Sequence, residues 1–356
     1  MRAEARGAGS DRPAARADPA AELRDAARWR WAEVAFWALP ALAFFAFPYR
    51  LPLLTEIVIL GLFALSLDLI LGYAGIVSLG HAAFLGLGAY AAGLLARAGW
   101  GEPISGLLLA GLTAAAFGFV TSFLVLRGRD LTRLMVTLGV AMMLFEAANK
   151  ADWLTGGADG LHGVAIDPVL GLFEFDLFGR TAYVYSALVL FALFYVARRL
   201  TASPFGLSLR GIRGNRRRME AVGTPVNRRL VAVYTIGAAY AGVAGGLLAQ
   251  TTQFVSLDVL EFQRSAEVLL VLLIGGSGGL YGGLLGAVVF RVMHEWLAGI
   301  TVQYWQFWVG LALVLLVFFA RGGLMGLLAA LGRRLKWTRD GGREPERRRA
   351  PPVAER

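Results

Sequence analysis

Apolar runs approaching or reaching the length of a membrane crossing recur along this chain, at about 33–48, 53–72, 76–96, 104–126, 131–149, 181–197, 230–250, 266–290 and 303–320. A helix needs roughly 20 apolar residues to cross the hydrocarbon core of a bilayer, and a backbone in lipid must satisfy its own hydrogen bonds. With 57% hydrophobic residues and 17% charged ones, a water-soluble fold could not hide the apolar side chains. The expectation is an all-α polytopic membrane protein with about 8–10 transmembrane helices, some of them broken by glycine.

The net charge of +10 has to be read through its distribution. Residues 1–30 carry seven arginines against five acids, 198–229 nine against the single acid Glu220, and 333–356 nine basic residues against four acidic ones. The rest of the chain is net negative, so positive charge flanks the apolar runs as membrane topology and anionic lipid require, and nucleic acid is not an expected partner. The divisions that follow are a disordered cytoplasmic tail at 1–30, a transmembrane domain at 31–332 and a basic cytoplasmic tail at 333–356. A signal peptide is the weaker reading of the N-terminus, because its charges are mixed in sign and no small-residue cleavage site follows the first run.

Several chemistries are excluded at once. The chain has no cysteine, hence no disulfide or thiolate metal site, and His81, His162 and His294 are scattered without a carboxylate cluster. Its two lysines, Lys150 and Lys336, follow Asn149 and Leu335 rather than the glycine of a phosphate-binding loop. If ATP drives this protein, another chain binds it.

With the N-terminus in the cytoplasm, four spans return the chain inside at RGRDLTR, residues 127–133. A fifth leads out to the Gly-rich, acidic loop 150–180, and the next comes back to the arginine-rich island at 198–229. Three full spans beyond it would leave the basic C-terminal tail outside. The Gly-broken stretch LLIGGSGGLYGGLLGA, 272–287, offers a repair: two short half-helices that enter and leave from one side keep 251–302 outside, and the last span returns the tail. An extra short span near 324–332 is the other repair, and the broken helix is preferred.

A second Gly-rich stretch, GYAGIVSLGHAAFLGLGAY, lies at 72–90. Gly-interrupted segments in corresponding halves point to a transport pathway at a repeat interface, against the plainer reading that glycines let helices pack closely. Gly75, Ser78, Gly80, His81, Gly276 and Gly278 are the pathway candidates, although hydrogen-bonded packing is the plainer role for His81. Asp68, Glu146 and Glu267 lie in or near apolar runs, where ionisable groups are costly and often functional. Glu146 and Glu267 are explained by reaching water at span ends; Asp68 is retained as a pathway candidate. Tyr304, Trp305, Phe307 and Trp308 fit an interfacial aromatic belt.

GGSG at 275–278 resembles the serine motif of rhomboid intramembrane proteases, which would need a histidine base within reach of Ser277. The island carries a fuller pattern: SPFG at 203–206, Arg210, Arg213-x-Asn215 and Glu220-Ala221-x-Gly223. With LSLDLILGYAGIVSLGHAAFLGLGAYAAGLL at 65–95, VTLG at 136–139, LTGGADGL at 154–161 and IGGSGGLYGGLLGA at 274–287, the chain from about 51 to 327 resembles the permease subunits of branched-chain amino-acid ATP-binding cassette (ABC) importers. Arg216 stands where that family usually has an acid, Asp68 where it usually has Asn, and Gly279 and Gly283 where Thr and Pro are common.

The resemblance implies a permease subunit in the cell inner membrane, with both termini cytoplasmic and no cofactor of its own. It implies as partners a second homologous permease, two cytoplasmic ATP-binding subunits and an extracytoplasmic solute-binding protein. Arg210, Arg213, Asn215, Glu220, Ala221 and Gly223 would form the coupling element that docks on the ATPase. Pro204 and Gly206 suit the opening of a helix there, Gly223 its close, and Pro225 bars continuation. Urea and short-amide importers have similar permeases and are the alternative substrate class; a self-sufficient secondary transporter is the rival from another class.

Overall fold

The computed structural model describes residues 31–300 apart from 129 and 177, together with 307, 308, 310, 311 and 322–327. The tails at 1–30 and 333–356, most of the run at 303–320 and most of the segment near 324–332 lie outside the described residues. What is described is helical: α1 (Trp31–Ala46), α2 (Leu51–Leu67) running into a π-helical turn (Asp68–Tyr73), α3 (Ala82–Arg97), α4 (Pro103–Val125), α5 (Asp130–Lys150), the single turn α6 (Asp152–Thr155), α7 (Arg180–Thr201), α8 (Pro204–Gly214), α9 (Arg216–Ala221), α10 (Val226–Thr252), α11 (Phe262–Gly275) and α12 (Tyr281–Ile300). Five of the helical segments, beginning at Leu51, Pro103, Leu131, Arg180 and Val226, are long and apolar enough to cross a membrane, and α1 and α3 are shorter apolar helices. The expected all-α membrane architecture is observed.

The 27-residue α10 is the axis of the core and packs along α4, α3 and α2. Glycine permits the closeness: a Cβ on Gly88 of α3 would run into the Gly242 backbone of α10, and one on Gly242 would meet the Ala110 carbonyl of α4. Backbones that approach so nearly gain dispersion contact where lipid offers no hydrophobic drive for helix association. α2 is shared by α12 and α7 on its other sides. Outward, α4 exposes Leu108, Leu112, Val120 and Phe123, and α5 exposes Leu131, Met135 and Met143. Such faces would be a liability in water and are ordinary in hydrocarbon.

The run at 266–290 is broken as expected, but not into two short half-helices kept on the outer side: α12 has 20 residues and the bend lies at the island end. α11 and α12 pack against each other, joined by a bend at 276–280. The loops sort to two ends of the bundle. At one end the acidic loop is tied to the segment after α10 by an antiparallel bridge, Leu161 N–H to the Val255 carbonyl at 2.7 Å, and to the α3–α4 turn by Asp167 N–H to the Gly101 carbonyl at 2.9 Å. At the other end the α11–α12 bend meets the island and the end of α2. Charge had assigned the loop and the island to opposite sides, and the bundle separates them in the same way.

Candidate functional site

The island forms two helices where one was expected. Pro204 starts α8 after extended Ser203, and Asn215, also extended (φ −159°, ψ 100°), divides α8 from α9. The Asn215 side chain then caps α9, its Oδ1 accepting the Arg218 N–H at 3.0 Å. Gly223 (φ +86°) ends it: the Gly223 N–H donates to the Glu220 carbonyl and the Thr224 N–H to the Met219 carbonyl, both at 3.0 Å. This pair of bonds needs a left-handed residue at Gly223. Glu220 accepts from Arg216 Nε at 3.0 Å, and Arg216 Nη2 donates on to Asn227 Oδ1 at 2.8 Å. The six residues of α9 bury no side chain, and Ala221 and Val222 beside its end are exposed, Val222 by 75%. Caps hold the two ends of α9, and the half-buried Met219, against Gly211 of α8, is its packing contact with the core.

α8, in contrast, is seated by Leu209 and Ile212, both buried. Its arginines reach into the bundle. Arg210 stacks over the Tyr73 ring at 5.1 Å, and Arg213 Nη1 donates to the Gly72 carbonyl. Across the same seam, Asp68 Oδ1 accepts the Gly278 N–H at 2.6 Å, ahead of the first turn of α12. A helix N-terminus favours an anion. A side chain on Gly278 (φ +90°) would collide with Arg213 Nη1, and one on Gly75 would crowd Arg213 Cγ. One coupling candidate, Arg213, therefore stands between the two Gly-rich stretches, with Asp68, Gly75 and Gly278 around it. The π-helical turn at 68–73 brings the Gly72 carbonyl and the Asp68 carboxyl to one place; such turns are frequent at functional sites.

The other pathway candidates lie apart from this clasp. Gly80 packs on α5, where a Cβ would strike the Thr137 carbonyl, and Gly276 packs against the Gly322 carbonyl. His81 is buried, its Nε2 paired with Ser66 Oγ at 2.7 Å and its ring stacked on Phe63 at 5.3 Å. Ser78 Oγ is buried without a partner. For the protease reading, His81 is engaged with Ser66, His162 with the Asp159 carbonyl at 3.0 Å, and His294 lies beside Arg291, about 20 Å along α12 from its first residue at 1.5 Å per residue. No base is placed for Ser277 by these contacts.

Two charged groupings were missed in the sequence. Arg198, at the head of the island, is buried and donates to Glu33 of α1 at 2.5 Å, so it belongs to the core rather than to a docking surface. At the opposite end, Arg291 pairs with Glu56, and Arg264 with Asp258 at 2.9 Å and Glu267 at 3.2 Å. The hint lay in charges bracketing the run at 266–290, among them Glu267, read alone as an acid reaching water. Glu146 does behave so, pairing with Lys150 at 3.3 Å on the exposed surface.

Residues 49–321, well over half of the chain, match the family described as "Branched-chain amino acid transport system / permease component". Among curated proteins, the chain is 28% identical over 289 residues to the high-affinity branched-chain amino acid transport system permease protein LivM of Escherichia coli K12, covering 75% of this chain and 67% of that one. It is 29% identical over the same length to LivM of Salmonella typhimurium, with the same coverage. It is 26% identical over 266 residues to the probable branched-chain amino acid transport permease protein LivM of Methanocaldococcus jannaschii, covering 65% and 76% of the two chains. No solved structure gives a significant match. On this match and on its helical membrane architecture, the chain belongs to the branched-chain amino acid transport permease family and is a membrane permease, not an enzyme.

Proposed function

We propose that this chain is one of two permeases in an ABC importer of branched-chain or related hydrophobic amino acids, resident in the cytoplasmic membrane. Residues 31–332 are its permease domain, and the island at 198–229, facing the cytoplasm with both termini, is its coupling loop. One of two ATP-binding subunits would dock there and a solute-binding protein at the other end, as the family resemblance implies. The exposed α9, with Glu220, Ala221 and Gly223, presents the docking surface, and α8 carries displacement inward.

The observation that supports this best is the Arg213 clasp. A side chain of α8, next to the docking element, donates to the Gly72 carbonyl, beside the Asp68 bond to Gly278, so that α2 and the α11–α12 bend share one seam with α8. If partner ATPases pull α8, Arg213 moves with it and the seam must rearrange. Discrete rearrangement of packed elements is how small displacements become a change of access. Arg213→Ala should lower ATP-driven uptake by about 5- to 150-fold, the span of ordinary coupling energies, while membrane insertion and retention of the ATPases persist. Undiminished uptake in that variant would overturn the coupling role.

A further inference from the structure

The geometry points to a recognition site for the zwitterionic head of a free α-amino acid in the cavity between α2, α10, α11 and α12, at the end of the bundle away from the island. This inference rests on the substrate class proposed above and adds where, and by which groups, the permease itself reads that substrate. The cavity measures about 280 Å³, just under the roughly 300–1,000 Å³ that holds drug-sized ligands. It suits a smaller one.

Its wall carries both signs of charge. Glu56, Asp258 and Glu267 supply three carboxylates, and Arg264 and Arg291 two guanidiniums. Arg264 is committed to Asp258 and Glu267, whereas Arg291 is committed to Glu56 alone among the acids. The remaining donors of Arg291 are weakly used: Nη1 stands 3.5 Å from His294 Nδ1, and the buried Nε has no partner. The Arg291 side chain is 26% exposed, and a planar guanidinium is the group best shaped for a carboxylate. The wall is left with one more carboxylate than guanidinium, and the excess suits an ammonium. Glu267 is the most sheltered acid, its side chain 19% exposed, so a charge brought to it is screened least. A neutral amide would use neither feature.

Apart from Thr252 and Ser256, the rest of the wall is apolar. Leu60 and Phe63 of α2, Leu85 of α3 and Leu248 of α10 form a surface for an aliphatic side chain. Phe63 lies twelve residues into α2, about 18 Å from its start at 1.5 Å per residue, so the cavity reaches toward the middle of the bundle. Beneath it the Phe63 ring stacks on His81, bonded to Ser66, and α2 continues from there to Asp68 and the Arg213 clasp. The charged mouth thus lies at the end away from the island, and the apolar wall leads from it toward the clasp.

The test is uptake by the complete assembly in proteoliposomes, with the permease pair, ATPases and solute-binding protein, using radiolabelled leucine, alanine and urea. Binding of leucine, leucinamide and 4-methylpentanoate to the permease pair in detergent is measured alongside. Glu267→Gln should weaken binding of leucine and leucinamide by about tenfold or more, the value of one charged hydrogen bond, and leave 4-methylpentanoate unchanged. Arg291→Gln should weaken leucine and 4-methylpentanoate and spare leucinamide. Leu60→Trp should lower the leucine-to-alanine uptake ratio, which a merely damaged fold would not do selectively. Leucine transport with wild-type affinity and ratio in all three variants, or equal losses for all three binding probes, overturns the site while leaving the importer reading intact. Wild-type uptake of urea without leucine overturns the substrate class itself.

Discussion

Asp68 shows how much one buried side chain can be asked to do. Its Oδ1 holds the Gly278 N–H at 2.6 Å, while its Oδ2 is buried without a hydrogen bond. Asn keeps the Oδ1 acceptor without a carboxylate, so Asp68→Asn should retain both uptake and thermal stability. Asp68→Ala strands the Gly278 N–H, and an unsatisfied buried donor costs about 1–3 kcal/mol. A lowered melting temperature of the detergent-solubilised permease, with loss of uptake, is the expected outcome, and equal melting of the Ala and Asn variants would contradict it. Residue type marked Asp68 from the start, as a carboxylate within an apolar run. Its partner could not be found that way, because Gly278 lies 210 residues further on.

At the scale of elements, α9 is a short helix with no fully buried residue, resting on the core through the half-buried Met219. Six residues are too few to be stable on propensity alone, since isolated helices below about 12–15 residues are marginal in water. Its two ends carry the stability: the Asn215 cap and the Gly223 closure. Asn215→Ala should weaken α9 by about 0.5–2 kcal/mol without touching the bundle. Faster amide hydrogen exchange at 217–221, reduced ATPase retention and unchanged insertion are expected; wild-type exchange there would show that the cap contributes nothing. The turn chemistry of Pro204, Gly223 and Pro225 was readable from residue types, whereas the split at Asn215 was not. An Asn between two glycyl- and arginyl-rich segments is equally compatible with a cap and with a helix interior exposed to solvent. The α11–α12 bend is the converse case, where clustered glycine announced a break before any packing was known.

For the whole molecule, the absence of cysteine allows a direct test of topology. Leu172→Cys, in the exposed acidic loop, should react with a membrane-impermeant maleimide in intact cells, while Arg217→Cys in the island and Ser277→Cys at the α11–α12 bend should react only after permeabilisation. Labelling of Ser277→Cys from outside would place the bend at the wrong end and undo the hairpin. The all-α class and the separation of the acidic loop from the arginine-rich island were readable along the chain. Partition of a segment into lipid depends on its own composition and on the charges flanking it. The clasp of Arg213 with Gly72, 141 residues apart, and the facing of Glu56 by Arg291, 235 residues apart, were not readable. Those pairings exist only because α2 is gripped at once by α10, α12 and α7, and which residues meet in such packing depends on the rotation and depth of each helix. Local hydrophobicity carries no record of either.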